Sequence, residues 1–151
     1  MYEDGFQPGI MKVCAWSGVV FCLMWLIGAS VVAGWQYIPP PSAADPAIKV
    51  AADYASKNLG IQIGVTLANF SIVAYTMWGM VVTQMTRRVE KDWPILYFVQ
   101  VVSLAVCVIV ILMIALFWGA ASWRAGDTLP EVTQLANDLG FKGGTALMFF
   151  Y

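Results

Sequence analysis

Histidine is absent from this sequence, and charged residues are scarce. The chain of 151 residues has no His, and Asp, Glu, Lys and Arg together make up only 11% of it. The missing imidazole removes the commonest transition-metal ligand, the usual axial haem ligand and the usual general base. A soluble domain carries about 25% charged residues, so this chain has too few to cover a water-exposed surface. The net charge of -1 also argues against a nucleic-acid partner, which calls for a basic face.

Cysteine is also sparse, and its placement is informative. Cys14, Cys22 and Cys107 all lie within apolar segments, where the disulfide framework of an exported domain is not expected. The favoured interpretation is that they fill apolar space. A thiolate metal site is the alternative, although a deprotonated sulfur in hydrocarbon is costly without its metal. The eight Met residues leave a similar choice between core packing and an apolar ligand cavity. The sequence predicts no metal site and no cofactor.

Long apolar runs take the place of the missing charge. Hydrophobic residues make up 60% of the chain, and a helix that crosses a bilayer needs about 20 mainly apolar residues in succession. By that measure the chain contains three full spans and one partial span, at residues 13–35, 61–85, 94–118 and 143–151. Two short amphipathic helices are predicted between them, at residues 46–58 and 129–139. The sequence therefore predicts an all-α integral membrane protein with a single transmembrane domain, residues 1–151. Its antiparallel bundle would have three full helices and a partial fourth, with the short helices on the outer side.

The basic residues predict the orientation in the membrane. Arg87, Arg88 and Lys91 lie in the short turn between the second and third spans, and Lys and Arg are enriched in cytoplasmic loops. We therefore expect this turn and the N-terminus to be cytoplasmic, and the two short helices to be outside. The compartment that fits this pattern is a bacterial inner membrane.

Two glycine pairs suggest an internal repeat. Gly60 and Gly64 follow the first short helix, and Gly140 and Gly144 follow the second at the same register. Each pair is a GxxxG, a spacing that lets helix backbones approach closely in lipid. The pattern predicts a parallel two-fold repeat of span, outer helix and span, an architecture known in membrane proteins. Coincidence, with glycines merely tolerated at a helix start, is the alternative.

Neutral polar residues are the only hydrophilic groups deep in the predicted spans. Asn69 and Tyr75 lie on the second span, Gln100 and Ser103 on the third. Intramembrane charges mark ion pathways and proton relays, so their absence weighs against a pump. The four residues can form interhelical hydrogen bonds or line a site for a small polar or amphipathic ligand. Counted as helical rise, Tyr75 and Gln100 reach the same depth, so we expect them to face each other or a shared partner.

The order of these segments resembles a group of uncharacterised bacterial multi-span membrane proteins. The resemblance rests on Ile38-Pro39-Pro40-Pro41-Ser42, the short helix with Tyr54, the segment from Gly60 to Gly64, and Asn137-Asp138-Leu139-Gly140 before a further span. It covers most of the chain but includes no specific motif. It implies no activity, but it does imply a protein longer than 151 residues.

The last predicted span is too short to cross a bilayer. At a rise of about 1.5 Å per residue, residues 143–151 cover roughly 13 Å, less than half of the hydrocarbon layer. In the first copy of the repeat, about twenty further span residues follow Gly64. We therefore expect the natural protein to complete a fourth span. A re-entrant segment and burial of this end in a partner are the alternatives.

Three classes of function remain open. The leading one is a non-catalytic membrane subunit that packs against and stabilises or regulates a larger membrane complex. Its partners would be lipids and other transmembrane proteins, in a hetero-complex or a homo-oligomer. The second is a binder or carrier of a small apolar molecule, which predicts a cavity between the spans near Asn69 and Gln100. The third is a membrane enzyme. Its carboxylates near the interface would be Glu90, Asp92, Asp127, Glu131 and Asp138, and these fit helix caps and loop solvation better.

Overall fold

Helices account for all the regular structure in the part of the chain that the computed structural model describes, which is residues 8–34, 41–42, 44–90 and 93–148. In chain order the five α-helices are α1 Pro8–Leu26, α2 Ala47–Ser56, α3 Asn58–Val89, α4 Ile95–Trp123 and α5 Pro130–Met148. The described residues contain no strand. The all-α class predicted from the sequence is therefore correct.

Three of these helical segments are long and apolar enough to cross a membrane, namely Gly9–Val32, Asn58–Val89 and Ile95–Trp123. They correspond to the predicted spans 13–35, 61–85 and 94–118, and the second and third are longer than predicted. The first reaches beyond α1 because Ile27–Val32 continues the helix as a π-helical turn. It ends near Gly34, whose positive φ of 62° is a conformation that stops a helix and suits glycine.

The predicted division of the last segment into two elements is wrong. The outer helix at 129–139 and the partial span at 143–151 form one continuous helix, α5, as far as Met148. Glycine weakens a helix by about 1 kcal/mol relative to Ala. Gly140 and Gly143 stay helical because both pack against α4, so tertiary contact offsets the local cost. Residues 149–151 lie outside the described part.

The first short helix, by contrast, stays separate from the span that follows it. Pro46 precedes α2, and Lys57 interrupts the helix with φ −111° and ψ 11° before α3 begins at Asn58. Asp45 holds the start of α2, because its carboxylate accepts a hydrogen bond from Lys49 Nζ at 2.8 Å. That bond lowers the pKa of the Asp45 carboxyl and raises the pKa of Lys49.

The long helices pack in sequence, with α3 between α1 and α4, and α5 against α4 and α2. Helices α1 and α3 are antiparallel, because Gly18 lies beside Trp78 and Gly28 lies beside Gly64. The core forms two clusters. One lies near the α2 end of the molecule and includes Tyr54; the other lies near the middle of α3 and α4.

Candidate functional site

A close backbone contact joins α3 to the π-helical segment Ile27–Val32 that follows α1. A β-carbon added to Gly64 would overlap the carbonyl oxygen of Gly28, and one added to Gly60 would overlap that of Val32. In the opposite direction, a β-carbon at Gly28 would lie 2.7 Å from the carbonyl oxygen of Gly64. Glycine Cα hydrogens take these positions, which is the geometry of Cα–H···O contacts between helices. The first glycine pair therefore lies at a backbone-to-backbone crossing.

The second glycine pair has different surroundings. Gly140 lies against the indole ring of Trp118, and a β-carbon at Gly143 would lie 3.2 Å from Cγ1 of Ile114. The surroundings of Gly144 fall outside the described residues. Gly60 and Gly140 each contact the span that precedes them in the chain, but Gly60 meets backbone atoms and Gly140 meets a side chain.

Asn69 is a polar residue in an apolar groove between α3 and α4. The groove has a volume of about 360 Å³ and is lined otherwise by four α4 residues, Ile109, Leu112, Met113 and Leu116. The buried Asn69 Oδ1 has no hydrogen-bond partner among the described residues. A buried acceptor left unpaired away from water costs about 1–3 kcal/mol, so the described part of the chain leaves this oxygen unsatisfied.

Gln100 lies in a different place from the one expected. With Ser103 it lines a cavity of about 90 Å³ beside Trp78, Gly79 and Thr83, and its Oε1 has no hydrogen-bond partner within the described part of the chain. Tyr75 packs toward α1, with its ring centroid 4.8 Å from that of Phe21 in a tilted arrangement.

The sequence predicts that Tyr75 and Gln100 face each other or a shared partner. They share a neighbour, because the Trp78 ring lies 6.0 Å from that of Tyr75 and also lines the Gln100 cavity. The expected single cavity near Asn69 and Gln100 is in fact two separate spaces. The one at Gln100 is well below the roughly 300–1,000 Å³ of ordinary ligand pockets.

A buried polar cluster at the α2 end was not found from the sequence. The Tyr54 hydroxyl donates to Asn137 Oδ1 at 2.9 Å, and both side chains are buried. Asn58 Nδ2 donates to the carbonyl oxygen of Ser122 at 2.7 Å, while Gln62 Nε2 donates to Asn58 Oδ1 at 2.5 Å. These bonds join α2 to α5 and α3 to α4. The sequence feature that could have predicted this contact is the four-residue spacing of Asn58 and Gln62 on an otherwise apolar helix, because residues at that spacing are neighbours on one helix face.

Glu90 has a structural role at the turn between α3 and α4. Its two carboxylate oxygens accept hydrogen bonds from the amides of Leu96 at 2.6 Å and Tyr97 at 2.9 Å. These amides belong to the first turn of α4, where helix donors lack partners and a negative charge is favourable. Arg87 and Arg88 occupy the last turn of α3, and Lys91 lies outside the described residues.

No protein-family model, curated protein or solved structure matches this chain. Among the described residues, no group of three or more His, Cys, Asp or Glu side chains is placed to hold a metal ion. What the geometry does offer is close helix packing at Gly60 and Gly64, a closed polar cluster around Tyr54, and two amides with unmet hydrogen-bonding capacity. The groove at Asn69 is the more open of the two amide sites, and it is the candidate functional site.

Proposed function

We propose that this chain is a non-catalytic integral membrane subunit that packs against a larger membrane protein complex through the α3–α4 groove at Asn69. The observation that carries the proposal is Asn69 Oδ1 in that groove, a buried acceptor with no hydrogen-bond partner among the described residues. Asn69 lies about 17 Å along α3 from Asn58, so a bilayer of about 30 Å offers it no water. If the Asn69 amide turned toward the groove, a polar side chain on a partner helix would supply the missing hydrogen bond.

The walls of the groove support a helical partner. The four α4 residues that line it follow the spacing i, i+3, i+4 and i+7, the pattern of one apolar helix face. They are substantially exposed, from 43% at Met113 to 62% at Leu116. Helices pack by fitting the ridges of one into the grooves of another, and interhelical hydrogen bonds in membranes contribute about 0.6 kcal/mol on average. The bond at Asn69 would therefore select the partner and its register more than it would set the affinity.

The orientation and the wider architecture belong to the same proposal. Arg87 and Arg88 lie in the last turn of α3. They support a cytoplasmic α3–α4 turn and a cytoplasmic N-terminus in a bacterial inner membrane. The contacts of Gly60 and Gly140 with the span that precedes each of them support an antiparallel bundle with a two-fold internal repeat. The resemblance to bacterial multi-span membrane proteins also stays part of the proposal.

Site-specific photo-crosslinking tests the partner. A photoreactive amino acid at Leu112 should give a crosslink to one defined membrane protein in the native host membrane, and Asn69→Leu should weaken it strongly. The same probe at Val20, an exposed residue on α1, is the matched control and should give only lipid adducts. Lipid adducts alone at Leu112 would instead favour the binder of a small apolar molecule. A crosslink to a second copy, or one that Asn69→Leu leaves unchanged, would contradict the proposal.

A further inference from the structure

Four sulfur-bearing side chains line one groove between α1 and α3. Met11 and Cys14 come from α1, Met77 and Met80 from α3, and the groove has a volume of about 480 Å³. Each helix supplies its two sulfurs at i and i+3, a spacing that puts both on one face. The groove is distinct from the one at Asn69, and no step in the proposed function uses it.

The helix register brings the four residues to similar heights. The Ser17 hydroxyl donates to the carbonyl oxygen of Ala74 at 2.9 Å, and a β-carbon at Gly18 would lie 2.6 Å from the Trp78 ring. Because the two helices run in opposite directions, Cys14 falls opposite the stretch from Met77 to Met80. The four Cα positions then lie within about 7 Å along the helix axis. Unbranched Met side chains are long and flexible enough to converge over that distance.

The donor set selects for a soft cation. Thioether and thiolate ligands favour Cu(I), whereas Mg²⁺ and Ca²⁺ require carboxylate, carbonyl or water oxygens. The other groove residues are Val73, Thr76, Val81 and Gln84, which include no carboxylate. We propose that Met11, Cys14, Met77 and Met80 form a binding site for Cu(I).

The charge balance of such a site suits an apolar environment. When Cu(I) binds, the Cys14 thiol would release its proton to water and bind as a thiolate, so one positive and one negative charge cancel. The Met ligands are neutral and add no further charge. The Met77 and Met80 residues are 37% and 40% exposed, so neither side chain is confined within a packed core.

Competition with bicinchoninate tests the site on the full chain in mild detergent. The reduced protein should take one equivalent of Cu(I) from the chromophore, and Met77→Leu or Met80→Leu should each weaken binding at least about tenfold. These Met-to-Leu changes nearly conserve side-chain volume, which apolar packing tolerates well, so the variants should fold. Met113→Leu, in the groove at Asn69, is the matched control and should bind as the parent does. No uptake of Cu(I), or an equal loss in Met113→Leu, would overturn the proposal.

The cysteines supply a second, independent readout. Cys22 is exposed on the same helix as Cys14 but does not line the groove. One equivalent of Ag(I), used as a probe for Cu(I), should protect Cys14 from alkylation by a maleimide and leave Cys22 reactive. Met80→Leu should reduce that protection. Equal protection of both thiols, or none at Cys14, would show that the metal is bound without this site.

Discussion

At Gly64, the carbonyl oxygen of Gly28 fills the position that a β-carbon would take. Since the obstacle is backbone, a rotamer change cannot relieve it. We predict that Gly64→Ala lowers the free energy of unfolding by about 1–3 kcal/mol, the usual cost of overpacking. Thermal unfolding in detergent, followed by circular dichroism, measures the change.

Gly119→Ala is the control for that substitution. A β-carbon there would meet only Val65 Cγ1, at 3.6 Å, which is ordinary van der Waals contact, and Ala has the higher helix propensity. The variant should therefore be as stable as the parent or slightly more so. Equal losses in Gly64→Ala and Gly119→Ala would mean that the α1–α3 crossing is not the cause.

A second residue-scale prediction concerns Glu90, whose carboxylate accepts two amides of the first turn of α4. Glu90→Ala removes both bonds and the favourable charge at the helix start, so it should cost about 1 kcal/mol. Asp127→Ala removes an exposed carboxylate from the loop before α5 and should change little. Chemical or thermal unfolding distinguishes the two; a Glu90 variant as stable as the Asp127 variant would rule out the cap.

At the scale of elements, one buried hydrogen bond connects α2 to α5. Tyr54→Phe would leave Asn137 Oδ1 without the Tyr54 donor, and a buried acceptor that loses its partner costs about 1–3 kcal/mol. We expect a loss of that size in unfolding free energy and faster hydrogen exchange in α2. Replacing both partners, with Tyr54→Phe and Asn137→Leu together, should cost less than the sum of the single changes. An additive pair of losses would show that the two side chains do not act together.

The boundaries of α2 and α5 show what local sequence can and cannot predict. Pro46 and Lys57 bound α2 within a residue or two of the prediction, because proline has a local effect on the backbone. The sequence predicted two elements in the last segment, at 129–139 and 143–151, but α5 is continuous, and Gly140 and Gly143 lie against α4. Contact with α4 keeps this segment helical. Such a contact between distant parts of the chain cannot be predicted from the local sequence.

At the scale of the whole molecule, hydropathy was enough to locate the three candidate spans, but counting residues from the span edges does not give the register of α3 against α4. Counting assumed that each helix begins at the membrane edge. α3 has 32 residues, about 48 Å of helix, and is therefore longer than a hydrocarbon layer of about 30 Å. Its length alone does not determine its register against α4. The actual register puts Gln100 in a cavity with Thr83, about 12 Å along α3 from Tyr75. Side-chain packing, such as Leu104 against Gly79, sets that register.

The last prediction concerns the orientation of the whole chain. Arg87 and Arg88 lie in the last turn of α3, and their positive charges should keep the α3–α4 turn in the cytoplasm. In a background with the three native cysteines replaced by Ser, single cysteines are introduced by Val89→Cys and Ala44→Cys. Both positions are exposed, and neither side chain takes part in the hydrogen bonds of Glu90 or Tyr54. A membrane-impermeant maleimide added to intact cells should label the Ala44→Cys protein at once and the Val89→Cys protein only after permeabilisation. The opposite pattern would reverse the orientation, and labelling of neither protein in intact cells would show that α2 does not lie outside.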